Sequence, residues 1–94
     1  GHYASVIFTY FMSLGFPCIA EDTTNKGRID LTIKLPKRTV IIEFKVDSKE
    51  SPLAQVKQKQ YFQKYQHEQK DIFIVGICFD SNEKNISDFE WEKV

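Results

Sequence analysis

Apolar residues recur along this chain with two different periods, and each period predicts one kind of element. In the first segment they fall three or four positions apart, at Tyr3, Val6, Ile7, Tyr10, Phe11 and Leu14. This spacing predicts an amphipathic helix with one broad buried face, and Gly15 favours a stop at its end. Phe8 and Met12 lie off that stripe. They either widen the core face or, as we favour, contact a preceding domain or a second protomer.

Alternation of apolar and polar residues follows in two segments, 28–35 and 39–46, with Ile41 as the exception in the second. A period of two predicts strands with one apolar face, on which Ile29 and Leu31 point the same way. Pro36 suits the second position of a four-residue loop between the segments. Matching the apolar faces gives one hairpin register, with the pairs Lys34–Thr39, Ile33–Val40, Leu31–Ile42 and Ile29–Phe44.

The other segments complete the order α-β-β-β-α-β, with a further strand at 86–94. Residues 16–20 predict a first strand, and Ser51-Pro52 is typical of a helix start, from which a helix to about Glu68 is predicted. Its buried contacts are expected from Leu53, Val56 and Tyr61, with Phe62 or Tyr65. The apolar run 72–79 is typical of a central strand, parallel to the preceding strand. The fold class is therefore α/β, a mixed sheet flanked by helices.

Length and composition limit the classes of function. Ninety-four residues suffice for one core, so a single domain over 1–94 is expected, and its start without methionine suggests excision from a larger protein. Acidic and basic residues are equal at 13 each, which argues against tight autonomous DNA binding. A neighbouring domain or oligomerisation would then supply affinity. No apolar run is long enough for a bilayer, and no signal peptide precedes the first helix, so no membrane partner is expected.

The two cysteines give no sign of a metal site. Cys18 and Cys78 are far apart, without a CxxC pair or a histidine cluster, so zinc is not expected. Both lie in apolar runs. Buried, reduced thiols in a cytoplasmic protein are therefore the expectation.

The hairpin register brings charged side chains together on its polar face. It puts Asp30 opposite Glu43 and Arg28 opposite Lys45. Opposed Cβ atoms lie about 4.5–5.5 Å apart, and like charges at that distance destabilise a sheet. A divalent cation such as Mg²⁺ is the simplest compensation for two carboxylates. The alternative is a self-compensating cluster of these four charges without a metal, and the pattern alone leaves both open.

These residues, in this order, resemble the PD-(D/E)XK nuclease superfamily. The similarity rests on Glu21, Gly27-Arg28-Ile29-Asp30, Glu43-Phe44-Lys45 and Gln55, supported by Leu14-Gly15-Phe16, Ala54-Gln55-Val56 with Tyr61, and Ile74-Val75-Gly76-Ile77. It covers nearly the whole chain, with Ile29 in place of the proline of the name. More narrowly, the chain resembles small nuclease-like domains at the C-terminal end of AAA-ATPase-like bacterial proteins. The resemblance implies a restriction-endonuclease-like fold.

The resemblance also implies an activity, metal-dependent hydrolysis of phosphodiesters in nucleic acid, with DNA as the expected substrate and Mg²⁺ or Mn²⁺ as the cofactor. Asp30 and Glu43 would ligate the metal with the backbone carbonyl of Phe44. Glu21 would reach the same metal directly or through water. Lys45 would orient or deprotonate the attacking water and stabilise charge on the phosphate. Gln55, on the second helix, would contact the substrate backbone or the metal-bound water.

Two non-enzymatic functions stay open beside the nuclease. One is a catalytically silent module of nuclease fold that positions DNA or binds protein as an appendage of an ATPase. The other is a dimerisation domain that uses Phe8 and Met12. Neutral charge and small size favour the module, whereas the presence of Asp30, Glu43 and Lys45 together favours the nuclease. The expected partners are nucleic acid, a preceding ATPase-like domain and a second protomer.

Overall fold

The computed structural model of the protein describes residues 2–94 and contains one five-stranded sheet. The elements are α1 (His2–Ser13), β1 (Cys18–Thr24), β2 (Gly27–Lys34), β3 (Arg38–Val46), α2 (Pro52–Lys59), a 3₁₀ helix (Tyr61–Glu68), β4 (Asp71–Asp80) and β5 (Asn85–Lys93). The spatial order of the strands is the chain order. All neighbours are antiparallel except β3 and β4, which are parallel. The predicted α/β class, a mixed sheet with flanking helices, is confirmed.

Two separate groups of apolar side chains pack on the two faces of the sheet. The face covered by α2 and the 3₁₀ helix, here the α2 side, buries Ile29, Ile41, Leu53, Val56, Tyr61, Tyr65, Ile72 and Ile74. The face covered by α1, here the α1 side, buries Leu31, Ile33, Ile42, Val75, Ile77 and Phe79. Neither α1 nor α2 has the length and apolar character that a membrane-crossing helix needs.

The β2–β3 hairpin follows the predicted register over its closed end. Pairing runs from Lys34–Thr39 to Leu31–Ile42. In the loop, the Leu35 N–H donates to the Arg38 carbonyl at 2.9 Å. Local turn chemistry and matching apolar faces therefore suffice to place this part of the sheet.

The central position of β4 is also as predicted. It pairs in parallel with β3 from Arg38–Asp71 to Val46–Phe79, and with β5 on its other edge. Gly76 interrupts its apolar run because a Cβ there would lie 2.7 Å from the Leu53 backbone nitrogen. The first turn of α2 therefore lies directly on the strand, beside Glu43, the residue that pairs with Gly76.

The prediction of one continuous second helix is wrong beyond Lys59. Its start is as predicted, since Ser51 caps the helix by accepting a hydrogen bond from the Ala54 N–H. At Gln60 the backbone adopts a left-handed conformation, with φ 55°, and a 3₁₀ helix follows. In an unbroken helix, position 60 would face the core one turn after Val56. The break puts Tyr61 there instead, and Tyr61 is buried.

The first strand is longer than predicted and shifted along the chain. It continues past the predicted end at Ala20 to Thr24, and the turn that follows is only Asn25-Lys26. The reason is pairing, since the last residues of β1 are partners of the first residues of β2. Of the two cysteines, Cys78 is buried and Cys18 only half-buried, and both thiols are free.

Helix α1 forms as predicted, but its broad apolar stripe is only partly buried, since Tyr3, Ile7 and Phe11 pack against the α1-side core and the rest is exposed. Val6, Tyr10 and Leu14 are 54%, 60% and 53% exposed, and the helix has no fully buried residue. Phe8, predicted to lie outside the stripe, packs against the α1-side core with other half-buried residues, whereas Met12 is exposed. The helix lies mainly against β1 and β2, and Tyr3 stacks on Phe79 of β4, whereas Phe89 and Trp91 of β5 stay exposed beyond it.

Candidate functional site

Strands β1 and β2 change face at the same level, and two candidate carboxylates lie there. On β2, Leu31 packs on the α1 side, but Ile29, two residues earlier, packs on the α2 side. Between them is Asp30, and the residue at the same level of β1 is Glu21, whose φ of 51° is left-handed. Residues two apart on a regular strand share a face. The alternation therefore shifts by one residue at Glu21 and Asp30.

This shift makes the last part of the predicted hairpin register wrong. The pairing of β2 with β3 ends at Leu31–Ile42. Ile29 and Phe44, predicted to meet on one apolar face, pack on opposite sides of the sheet. The alternation of apolar and polar residues could not predict this change, because a period of two assumes that the backbone is a regular strand throughout.

Asp30 and Glu43 nevertheless come together, and their carboxylates take over the bonds between the two strands. The Asp30 N–H donates to Glu43 Oε1 with an N···O distance of 3.4 Å. The Phe44 N–H donates to Asp30 Oδ2 at 2.9 Å. Each carboxylate thus binds the backbone of the opposite strand, at the level where regular pairing of β2 and β3 has ended.

The Glu43 carboxyl is the strongly perturbed acid of this group. It is 5% exposed. Burial raises its pKa to about 8, helped by a hydrogen bond with Asp30 and by the negative charge of that carboxylate. The backbone N–H of Asp30 and the charge of Lys45 oppose the shift only in part. A positive charge beside both carboxylates would lower this pKa and relieve their repulsion.

Lys45 and Gln55 line one cleft on the α2 side, next to the buried Glu43. The cleft has a volume of about 520 Å³ and lies between β3 and the exposed face of α2. The Gln55 side chain is half-buried, with Nε2 3.5 Å from the Tyr61 hydroxyl. Tyr61 in turn lies against Gly27, where a Cβ would be 3.1 Å from its hydroxyl oxygen. Two predicted site residues, one from β3 and one from α2, therefore share one surface.

Glu21 lies apart from this cleft. It lines a cavity of about 740 Å³ under α1, together with Asp30. Its Oε1 is 3.9 Å from Arg28 Nη1, and both side chains are largely exposed, so this ion pair contributes little to stability. The prediction that Arg28 stands opposite Lys45 is wrong. Arg28 pairs with Thr23 of β1, and the pairing of β2 with β3 ends before it. Among residues 2–94, no ion pair joins Arg28 or Lys45 to Asp30 or Glu43. The self-compensating cluster of four charges is therefore not formed.

The donor set fits a hard divalent cation that keeps much of its water. Within residues 2–94, no three His, Cys, Asp or Glu side chains are grouped closely enough to hold a metal by themselves. Mg²⁺, however, is commonly held by one or two carboxylates, with waters and substrate phosphates as its other ligands. Asp30 and Glu43 offer two carboxylates, and the pKa of Glu43, raised first by burial and then by Asp30, is one that a bound cation would lower. Glu21 is not part of this group.

Sequence reasoning missed Asp22, the other buried acid. It is 2% exposed and accepts hydrogen bonds from the Thr32 hydroxyl at 2.8 Å, from the Tyr65 hydroxyl and from the Lys64 ammonium. Although burial opposes it, these three donors lower the pKa of Asp22. Asp22 directly follows the residue at which β1 changes face. It therefore fixes the strand there, and nothing in the sequence distinguishes it from its acidic neighbour.

Comparison with known proteins agrees with this architecture. The sequence model of the PD-(D/E)XK nuclease superfamily matches residues 1–89. A protein of Azotobacter chroococcum mcd 1, described as "Uncharacterized protein in vnfD 5'region", is 33% identical over 97 residues, which cover 100% of this chain and 19% of that protein. The chain thus spans about a fifth of the length of this relative. The mixed sheet with flanking helices is consistent with a restriction-endonuclease-like fold, and this chain belongs to the PD-(D/E)XK nuclease superfamily.

Proposed function

We propose that this domain hydrolyses phosphodiester bonds in nucleic acid, DNA above all, with Mg²⁺ or Mn²⁺ held by Asp30 and Glu43. One observation carries the proposal: two carboxylates share a site at the end of regular β2–β3 pairing, with Lys45 two residues farther along β3. Burying a carboxyl with so strong a shift destabilises the fold. A domain without metal chemistry would gain stability from a neutral residue at this position.

Each residue of the site has a separate task in this proposal. The metal, when bound, supplies a water of lowered pKa and a Lewis acid. Asp30 and Glu43 hold it, with the backbone carbonyl of Phe44 as a third ligand. Lys45 orients the attacking water and stabilises negative charge on the phosphate, a role that suits a compact ammonium charge. Gln55 contacts the substrate backbone from α2.

Glu21 has a weaker place in the proposal. Its exposed side chain and its contact with Arg28 favour a water-mediated role over direct ligation. Its backbone has a clearer task, because the left-handed turn at this residue shifts β1 together with β2.

The alternative function is a catalytically silent module that positions DNA or binds protein. Its specific support is the α1 side, where Phe89 of β5 and the helix residues Val6 and Tyr10 line a wholly apolar groove of about 440 Å³. Its proposed partners are a preceding ATPase-like domain and a second protomer. A cytoplasmic location is proposed with both functions.

A cleavage assay separates the two functions. Single- and double-stranded DNA and RNA are incubated with the domain in Mg²⁺, Mn²⁺ or EDTA. We expect metal-dependent cleavage that falls at least about a hundredfold in Asp30→Asn and Lys45→Ala, since both remove charge stabilisation of the transition state. The matched controls are Asp88→Asn and Lys37→Ala, at exposed positions of β5 and the β2–β3 loop. Binding of nucleic acid without cleavage by the wild type would favour the silent module.

Metal binding is testable without catalysis. Mn²⁺ should raise the melting temperature of the wild type, because a ligand that binds only the folded state stabilises it by about 2.7 kcal/mol at a hundredfold excess over its Kd. The shift should vanish in Asp30→Asn and persist in Asp71→Asn, an exposed acid of β4. An equal rise of the melting temperature in the wild type and both variants would mean that the metal binds at a site without Asp30.

A further inference from the structure

A second polar cleft lies beyond Tyr61, between the β1–β2 turn and the helix break at Gln60. Its volume is about 330 Å³. The residues that line it are Thr23, Thr24, Asn25, Lys26, Gln60, Tyr61, Gln63 and Lys64, all of them polar or amphipathic. It combines two lysines with amide and hydroxyl groups, and none of residues 2–94 contributes a carboxylate to its lining. The cavity that contains Asp30 and Glu21 has the opposite character, since residues 2–94 contribute two carboxylates and no basic side chain to its lining.

The charge of this cleft is only partly neutralised. Lys64 donates to the buried Asp22 and to the Thr23 carbonyl, so its position is fixed, but its side chain is still 39% exposed. Lys26 is exposed at the tip of the turn and forms no ion pair within residues 2–94. Gln63 is oriented by donating from Nε2 to Gln60 Oε1 at 2.9 Å. Fixed and free donors thus point to an anion as the ligand.

The cleft is connected to the proposed active site through two adjoining side chains. Tyr61 lines the cleft, and its hydroxyl contacts the Gln55 amide. Gln55 lines the first cleft together with Lys45. Lys45, Gln55, Tyr61 and Lys26 therefore follow one another along the α2 side. A nucleic-acid strand carries a negative charge at every phosphate, so a strand held beside Lys45 has further phosphates for a second basic group on the same side.

We propose that the cleft between the β1–β2 turn and Gln60 binds a second phosphate of the nucleic-acid strand whose scissile phosphate lies beside Lys45. The inference rests on the proposed nuclease function and extends it. Lys26 attracts the phosphate, and Lys64, whose charge is paired with Asp22, donates a hydrogen bond to its oxygens together with the amides of Asn25 and Gln63. The helix break is then the feature that opens the cleft, since a continuous helix would carry these glutamines in another direction.

The test measures DNA binding in Ca²⁺, a hard cation used here to support binding without turnover, with a fluorescein-labelled 12-nucleotide strand and the matching duplex. Wild type, Lys26→Gln and Lys37→Gln are compared over a series of salt concentrations. Loss of one phosphate contact makes the negative slope of log K against log salt shallower by about 0.7–0.9. At about 0.1 M salt, the same loss lowers the affinity roughly five- to eightfold. We expect this loss in Lys26→Gln and not in Lys37→Gln, which lies in the β2–β3 loop.

The possible results distinguish the inference from the function on which it rests. If the wild type cleaves nucleic acid and Lys26→Gln equals Lys37→Gln in affinity and slope, the second phosphate site is wrong and the nuclease stands. If the wild type neither binds nor cleaves any of the DNA and RNA substrates, both proposals fail. Gln63→Ala is a second variant: it should weaken binding with an unchanged salt slope, because it removes a neutral donor.

Discussion

The two sides of the sheet differ in how completely they are closed. On the α2 side, a helix of eight residues and a short 3₁₀ helix bury four of their own large side chains, Leu53, Val56, Tyr61 and Tyr65. On the α1 side, a helix of twelve residues buries none completely. The longer and more apolar helix thus contributes less burial. Closure depends on where a helix lies over the sheet, and α1 covers mainly β1 and β2.

This difference distinguishes a packed surface of the domain from an exposed one. The closed α2 side fixes the positions of Lys45, Gln55 and the buried Glu43, because the first turn of α2 rests on Gly76. The open α1 side keeps apolar side chains in contact with solvent, including Phe89 and Trp91 of β5 at 55% and 61% exposure. Exposed apolar patches of this kind are typical of surfaces that contact another chain or domain.

The largest expected effect comes from one pair of leucines, each replaced by alanine. Leu53→Ala on the α2 side should lower the free energy of unfolding by about 2–5 kcal/mol, because it leaves a cavity under the helix. Leu14→Ala on the α1 side removes the same atoms from an exposed position and should cost less than about 0.5 kcal/mol. Urea denaturation of both variants measures the difference. Equal losses would mean that the α1 side is as well packed as the α2 side.

The next largest effect is a pH dependence of the folding stability, caused by Glu43 on the α2 side. Since the pKa of Glu43 rises from 4.5 to about 8 on folding, the folded state holds a proton that the unfolded state has lost between these values. Without metal, stability should therefore fall as pH rises from 5 to 8, and one unit of pKa shift corresponds to about 1.4 kcal/mol. Glu43→Gln should flatten this fall.

Denaturation in EDTA at several pH values measures the effect. Glu83→Gln, in the exposed turn before β5, is the matched control and should keep the slope of the wild type. A wild type whose stability is constant over this range would show that Glu43 is already compensated in the folded state. It would also remove the main electrostatic argument for a cation at the site.

The smallest effect on stability is expected at the open side. Phe89→Thr keeps a residue suited to a strand and should change the free energy of unfolding by less than about 1 kcal/mol. It should, however, clearly lower the fluorescence of an apolar dye such as ANS, because Phe89 lines the apolar groove. Ile86→Thr, a comparably exposed position outside the groove, is the control. A loss of several kcal/mol in Phe89→Thr would show that this side is part of the core.

Local chemistry was sufficient to predict the start of α2, the closed end of the hairpin and the central place of β4. The helix start at Ser51-Pro52 and the pairing of Lys34 with Thr39 depend on residues nearby in the sequence, so the local sequence is enough to predict them. The left-handed residue Gln60 could not be predicted, because it depends on which side chain the core accepts after Val56. A tertiary contact decides it.

The sequence predicted that Asp30 and Glu43 come together, but not the geometry of their contact. Asp30 and Glu43 meet, but by binding each other's strands and not by standing opposite in a regular ladder. Nothing in the alternation of β2 indicates the change of face at Asp30. The exposure of α1 was also hidden, because helical periodicity shows which residues form a stripe and not how much of the sheet the helix covers.

The left-handed backbone at Glu21 has a consequence for how this sequence can change. For a residue other than glycine, asparagine or aspartate, this conformation lowers the stability of the fold by about 1–2 kcal/mol. Glycine at this position would make the domain more stable while deleting the acidic group beside Asp30. Replacement by glycine in a thermostabilised descendant would therefore indicate that the carboxylate had become dispensable, whereas persistence of the glutamate would indicate a use for it that outweighs its strain.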